Sequence, residues 1–131
     1  MNRVRAYATS AVTMLALDLL WLGVIAPPLY QREVGALMRA RPDAIAAALF
    51  YAIYLVGVNE FVLAAAKPDD GVDRVALRGA LFGFVAYATF DLTALAVLNG
   101  WTPTITAIDM AWGTALTGIV AGVAHAATRR R

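Results

Sequence analysis

The stretch that decides the fold is "ITAIDMAWGTALTGIVAGVAHAA", residues 105–127, with Asp109 as its one acid and no lysine or arginine. As an α-helix, about 20 apolar residues cross roughly 30 Å of hydrocarbon. Lipid offers backbone N–H and C=O groups no partners, so open strands are excluded, and the alternation of a membrane barrel is absent. Working outward, the run extends from about Thr104 to Ala127 and is followed by Arg129, Arg130 and Arg131. Three more runs qualify: about Ala6 to Ala26, about Ala44 to Ala66, and about Val75 to Leu98. Pro27-Pro28 is expected to stop the first of these and Asn99-Gly100 the third. The reading is all-α: an integral membrane four-helix bundle forming a single transmembrane domain over residues 1–131.

Composition points the same way. The chain is 61% hydrophobic and 15% charged, with mean hydropathy +0.67. Soluble domains carry about 25% charged residues, so this chain has too few to cover a surface in water. The absence of cysteine excludes disulfides, thiolate metal sites and thiol catalysis. The "NRVR" ahead of the first run resembles a signal-peptide start, but the run is too long and holds Asp18, so a retained first helix is expected. Net charge is +2, with the basic residues at segment ends, which speaks to orientation and not to nucleic acid. An inside N-terminus puts Arg3, Arg5, Lys67, Arg74, Arg78 and Arg129 to Arg131 inside, against Arg32, Arg39 and Arg41 outside. That bias predicts both termini on the cytoplasmic side.

Between the first and second spans, "PLYQREVGALMR" places Tyr30, Val34, Leu37 and Met38 at i, i+4, i+7 and i+8. This spacing predicts a short amphipathic helix at the membrane interface. The "NGWTP" link is so short that the third and fourth helices must be antiparallel neighbours. Gly79-x-x-x-Gly83 and Gly118-x-x-x-Gly122 permit close backbone approach, within the bundle or across a homodimer.

Acids inside the spans carry the functional signal. An aspartate at a helix centre costs about 2.5–3.5 kcal/mol on insertion scales and usually faces the bundle interior or a wet cavity. Counting 1.5 Å per residue, Asp18, Asp91 and Asp109 all fall in the outer half of the membrane. Trp21 stands three residues after Asp18, Trp112 three after Asp109, and Tyr87 four before Asp91. Each lies one turn from its acid on the same face, where an indole N–H or a hydroxyl can donate to a carboxylate. No lysine or arginine shares that level. Clustered carboxylates without a counter-charge cannot all stay ionised: they hold protons, surround water, or hold a cationic ligand. Asp18, Asp91, Asp109, Trp21, Trp112 and Tyr87 are therefore the expected ligand- or proton-binding residues. The bland alternatives are a helix-dipole role for Asp109 and simple interhelical bonds for Asp18 and Asp91.

Other polar residues read as structural. Trp101 is a lid or an interfacial belt residue, Glu60 reaches the interface or pairs with an inner basic residue, and His125 is an interfacial histidine without metal partners. No metal, cofactor or catalytic residue is expected, since HExxH, P-loop, GxSxG, GxGxxG and haem patterns are all missing.

Three separated blocks, "LALDLLWLG" at 15–23, "ALFGFVAYATFDLTALAVLNGW" at 80–101 and "DMAWGT" at 109–114, together resemble a bacterial family of small four-helix membrane proteins, DUF2177, a domain of unknown function. The resemblance covers nearly the whole chain and implies the fold; it transfers no activity. Three functions follow as expectations. The first is a proton-linked transporter or binder of a small cationic or amphiphilic ligand. The second is a membrane enzyme or accessory protein in lipid (fatty-acyl) modification, and the third is a structural scaffold. Expected partners are membrane lipids, an unknown small ligand and a second copy of the chain, with no nucleic acid.

Overall fold

Helix α1 (Arg3–Leu20) begins at Asn2, whose side-chain oxygen accepts the Arg5 backbone N–H at 3.0 Å. Ala6, Ser10, Met14 and Asp18 are its buried residues, each four apart, so Asp18 prolongs the stripe that faces the bundle. The computed structural model describes residues 2–128, which form helices and connecting turns. The basic run at Arg129, Arg130 and Arg131 lies outside the described residues.

The first helix does not stop at Pro27-Pro28. A wide π turn, Trp21–Ile25, follows α1, and helix α2 (Ala26–Val34) continues from it with the prolines in its first turn. Proline removes an N–H and crowds the carbonyl four residues back. Those carbonyls belong to Gly23 and Val24, inside the π turn, where the Ala26 N–H already reaches back five residues to the Trp21 carbonyl. A Cβ on Gly23 would meet nothing within 4 Å. The amphipathic segment is thus present, but as an extension of the first span, which runs unbroken over Arg3–Leu37.

Helix α3 (Ala44–Gly57) is capped by Asp43, which accepts the Ala46 N–H at 3.0 Å, and runs into a second π segment, Val58–Leu63. Helices α4 (Val72–Val97) and α5 (Pro103–Thr128) complete the set. Proline at the first position of α5 loses nothing, because that N–H has no helical partner, and the Thr102 hydroxyl oxygen accepts the Ile105 N–H at 3.1 Å. Among the described residues, four helices are long and apolar enough to span a membrane: Arg3–Leu37, Ala44–Leu63, Val72–Val97 and Pro103–Thr128.

Helix α5 is the most buried span and packs against α1, α2, α4 and the second π segment. Its antiparallel contact with α4 is backbone to backbone. A Cβ on Gly79 would lie 2.7 Å from the Thr117 carbonyl oxygen, and one on Gly83 would lie 2.3 Å from that of Gly113. A Cβ on Gly113 would sit 2.2 Å from the Tyr87 ring. The glycine spacings are therefore used inside the chain. Gly100, at φ 91°, makes the turn between the two helices, a conformation that only glycine adopts without strain.

At the end of the bundle where both chain termini lie, polar side chains clasp the helices. Glu60 accepts from Arg3 and, at 2.9 Å, from the Tyr7 hydroxyl. The Asn59 amide donates to Ser10 Oγ at 3.0 Å, and buried His125 bonds the Asp70 carbonyl at 2.8 Å. The Lys67 backbone N–H, followed by the charges of Arg78 and Arg74, holds the Asp70 carboxyl below its usual range. Glu60 thus takes a basic partner, one of the two placements expected of it, and His125 is packed near the end of α5 against the connection that holds Asp70.

Replacing Gly83 by Ala is expected to lower the thermal unfolding temperature in detergent, since overpacking costs about 1–3 kcal/mol. Gly23→Ala should leave it nearly unchanged. Equal melting of the two variants would show that α4 and α5 tolerate separation.

Candidate functional site

At the opposite end of the bundle, a cavity of about 220 Å³ is lined by Asp18, Trp21, Leu22, Tyr30, Phe50, Tyr51, Tyr87, Phe90, Trp101, Asp109 and Trp112. At about 30 Å³ per water in the liquid, that is room for roughly seven waters. All five α-helices and the first π turn contribute. Asp18 ends the buried stripe of α1, Trp21 opens the π turn, and Tyr30 projects from α2. Tyr51 comes from α3, Tyr87 from α4, and Asp109 with Trp112 from the first turns of α5.

Asp18 is 5% exposed and accepts two hydrogen bonds. The Trp112 indole N–H donates to Oδ1 at 3.0 Å and the Tyr51 hydroxyl to Oδ2 at 2.8 Å. Helical spacing pairs Trp21 with Asp18 and Trp112 with Asp109; the tertiary structure crosses these pairs. Trp112 reaches from α5 to the acid on α1, and Trp21 stacks on Trp112 with ring centroids 4.5 Å apart and planes 5° from parallel. The indole on α5 thus points across the interface to α1.

Asp109 accepts from the Tyr30 hydroxyl, a bond that ties α2 to the start of α5. A second tie lies beside it: the Thr102 hydroxyl donates to Glu33 Oε1 at 2.7 Å. Asp91 differs from the other two acids. It is completely buried, and neither carboxyl oxygen meets a protein donor. Tyr87 does not supply one. Its ring covers Gly113, and its surroundings are Asp18, Tyr54, Asp109 and Tyr51. The neighbour of the Asp91 carboxyl is the carboxyl of Asp109, within hydrogen-bonding reach. Two carboxyl groups bond only when one of them carries a proton.

The structure therefore brings Asp18, Asp109, Trp21, Trp112 and Tyr87 to one cavity, with Asp91 packed behind Asp109. Sequence reasoning missed Tyr51 altogether and took Tyr30 for a surface residue. The signal for both was a hydroxyl-bearing ring within or beside an apolar span, since a buried tyrosine O–H needs a partner. Trp101, expected as a lid or belt residue, lines the cavity edge-on to Phe90, with centroids 5.6 Å apart, and its indole N–H is buried without a partner. Thr106 is spent on its own helix, donating to the Thr102 carbonyl at 2.8 Å. Among the described residues, no group of three or more His, Cys, Asp or Glu side chains has the arrangement of a metal site.

Chemically, the site joins carboxylates to aromatic faces and hydroxyl donors. The chain belongs to the family described as predicted membrane protein (DUF2177), whose match covers residues 3–126. No curated protein matches it, and no solved structure does.

Tyr51→Phe and Trp112→Phe each remove one donor from Asp18; the first keeps the ring, and the second keeps an aromatic ring in place of the indole. Hydrogen bonds to charged groups contribute about 1.5–3 kcal/mol, so each variant should melt earlier. The double variant should show non-additive loss, because both donors serve one carboxylate. Full additivity in that thermodynamic cycle would mean that the two bonds do not act on a common charge.

Proposed function

For this member of a family of membrane proteins without an assigned activity, we propose that the cavity binds a small organic cation and exchanges it for a proton. The observation that carries this reading is the wall: eight aromatic side chains and the carboxyls of Asp18 and Asp109, with no lysine, arginine or histidine among them. A cation over an aromatic face gains about 0.5–2 kcal/mol per ring, and a nearby carboxylate supplies the opposite charge. Anions meet repulsion at the same wall. Asp18, held by the Tyr51 hydroxyl and the Trp112 indole, offers the carboxyl that faces the cation. The protein works as a small transporter or ligand-binding protein of the bacterial inner membrane, with both chain termini on the cytoplasmic side. The distribution of lysine and arginine supports that orientation.

A lipid-linked role is the second reading. It is favoured by a long apolar groove of about 1130 Å³ on the outer face of α4 and α5, lined by alanine, glycine and bulkier apolar residues. Native mass spectrometry of gently purified protein separates the two readings: a retained lipid favours the second, and a bare protein that takes up an added ammonium ion favours the first.

All three tryptophans of the chain line the cavity, so intrinsic fluorescence reports on it directly. Tetramethylammonium should change that fluorescence saturably. In Asp18→Asn the affinity should fall at least about tenfold, the equivalent of 1.4 kcal/mol. No saturable change, or equal affinity in the variant, would remove the basis for cation binding.

The chain has no cysteine, which makes orientation simple to test. Ala40→Cys should react with a membrane-impermeant maleimide in intact spheroplasts, and Ala66→Cys only after lysis. The reverse pattern would invert the orientation.

A further inference from the structure

We infer that Asp91 and Asp109 form a one-proton site, in which Asp91 is the buried half and Asp109 the half that faces the ligand cavity. That the proton leaves when a ligand enters rests on the cation reading above; the proton site itself does not.

Three observations converge on the pair. The turn at Gly100 sets the register: Asp91 lies nine residues before it and Asp109 nine after, as 100 − 91 and 109 − 100. Below them, Tyr87 meets Gly113 and Gly83 meets Gly113 and Thr117 in the same antiparallel register. Second, Asp91 is fully buried with both oxygens lacking a protein donor, and its carboxyl faces that of Asp109. Third, Asp109 is only half-buried, lines the cavity, and accepts from Tyr30.

The groups facing the pair settle its charge. Tyr30 comes from α2, Tyr87 from α4, and across the cavity stand Asp18 from α1 and Tyr51 from α3. None of these is a base with a positive charge. Removing an isolated carboxylate from water costs several kcal/mol, and a second carboxylate in contact adds repulsion. One proton relieves both: the O–H of one carboxyl donates to an oxygen of the other, and the pair carries a single negative charge. In the exchange, the O–H bond breaks heterolytically, the electron pair stays on the carboxylate, the proton goes to water, and the cation's charge takes its place. The net charge of the site is unchanged. Asp18 is outside this exchange because its oxygens are already occupied by two donors.

Infrared spectroscopy of the full chain in lipid bilayers, without ligand, tests the proton site. Wild type should show the C=O stretch of a protonated, buried carboxyl, shifted in D₂O and lost in one step as pH rises. Asp91→Asn should lack the band. Asp109→Asn should keep a band of shifted frequency, because the buried Asp91 still holds its proton but loses the carboxyl that accepts its O–H. Asp18→Asn should leave the band unchanged. The two pair variants on different helices guard against misfolding of either one. A wild type without the band at any pH where it is folded, a band that survives in Asp91→Asn, or one unshifted in Asp109→Asn overturns the inference. Saturating tetramethylammonium, with saturation read from tryptophan fluorescence, should bleach the band; persistence under those conditions overturns the exchange. Failure of tetramethylammonium to bind at all refutes the cation reading alone, since the pH titration needs no ligand.

Discussion

Backbone contact between α4 and α5 is the constraint on which the other features depend. Gly79, Gly83 and Gly113 leave no room for a Cβ at that interface, so the two helices can meet only in a register that places these residues against Thr117, Ala121 and Tyr87. In a bilayer, packing of this kind replaces the hydrophobic drive that holds soluble helices together. The turn at Gly100 joins the helices at one end. Together, the turn and the glycines leave the two helices no freedom to slide. Asp91 and Asp109 are then forced together as a consequence of packing, and the chemistry of the pair follows from a geometry chosen for other reasons.

The three acids have reached different solutions to the same cost. Asp18 takes two donors from two other helices, which offsets much of its desolvation. Asp109 keeps one donor, Tyr30, and partial access to the cavity. Asp91 has no donor and no access, and a proton shared with its neighbour is the chemistry left to it.

The first π turn sits at the edge of this arrangement. By adding one residue to the helical turn, it absorbs the prolines and swings α2 over the cavity. Trp21, its first residue, stacks on the indole that holds Asp18, so the turn is coupled to the site through a ring contact. π turns often mark functional positions in helices, and this one leads directly into α2, which carries Tyr30 to Asp109.

The chain's own order of residues determined the class, three of the four spans to within about three residues, the start but not the end of the first, and the antiparallel hairpin. Those features depend on composition, helical rise and loop length, all of which are local. It also determined that Asp91 and Asp109 stand equally far from Gly100. Helical spacing could not determine partners across an interface. Trp112 was assigned to the acid one turn away when it serves Asp18 on another helix, and Tyr87 was assigned to Asp91 when its ring covers Gly113. The prolines were read as a stop because the rule for an α-helix does not anticipate a π turn four residues upstream. Only tertiary packing decides which way a side chain leaves a crowded interface, because that choice is made by the space the neighbouring helix leaves open.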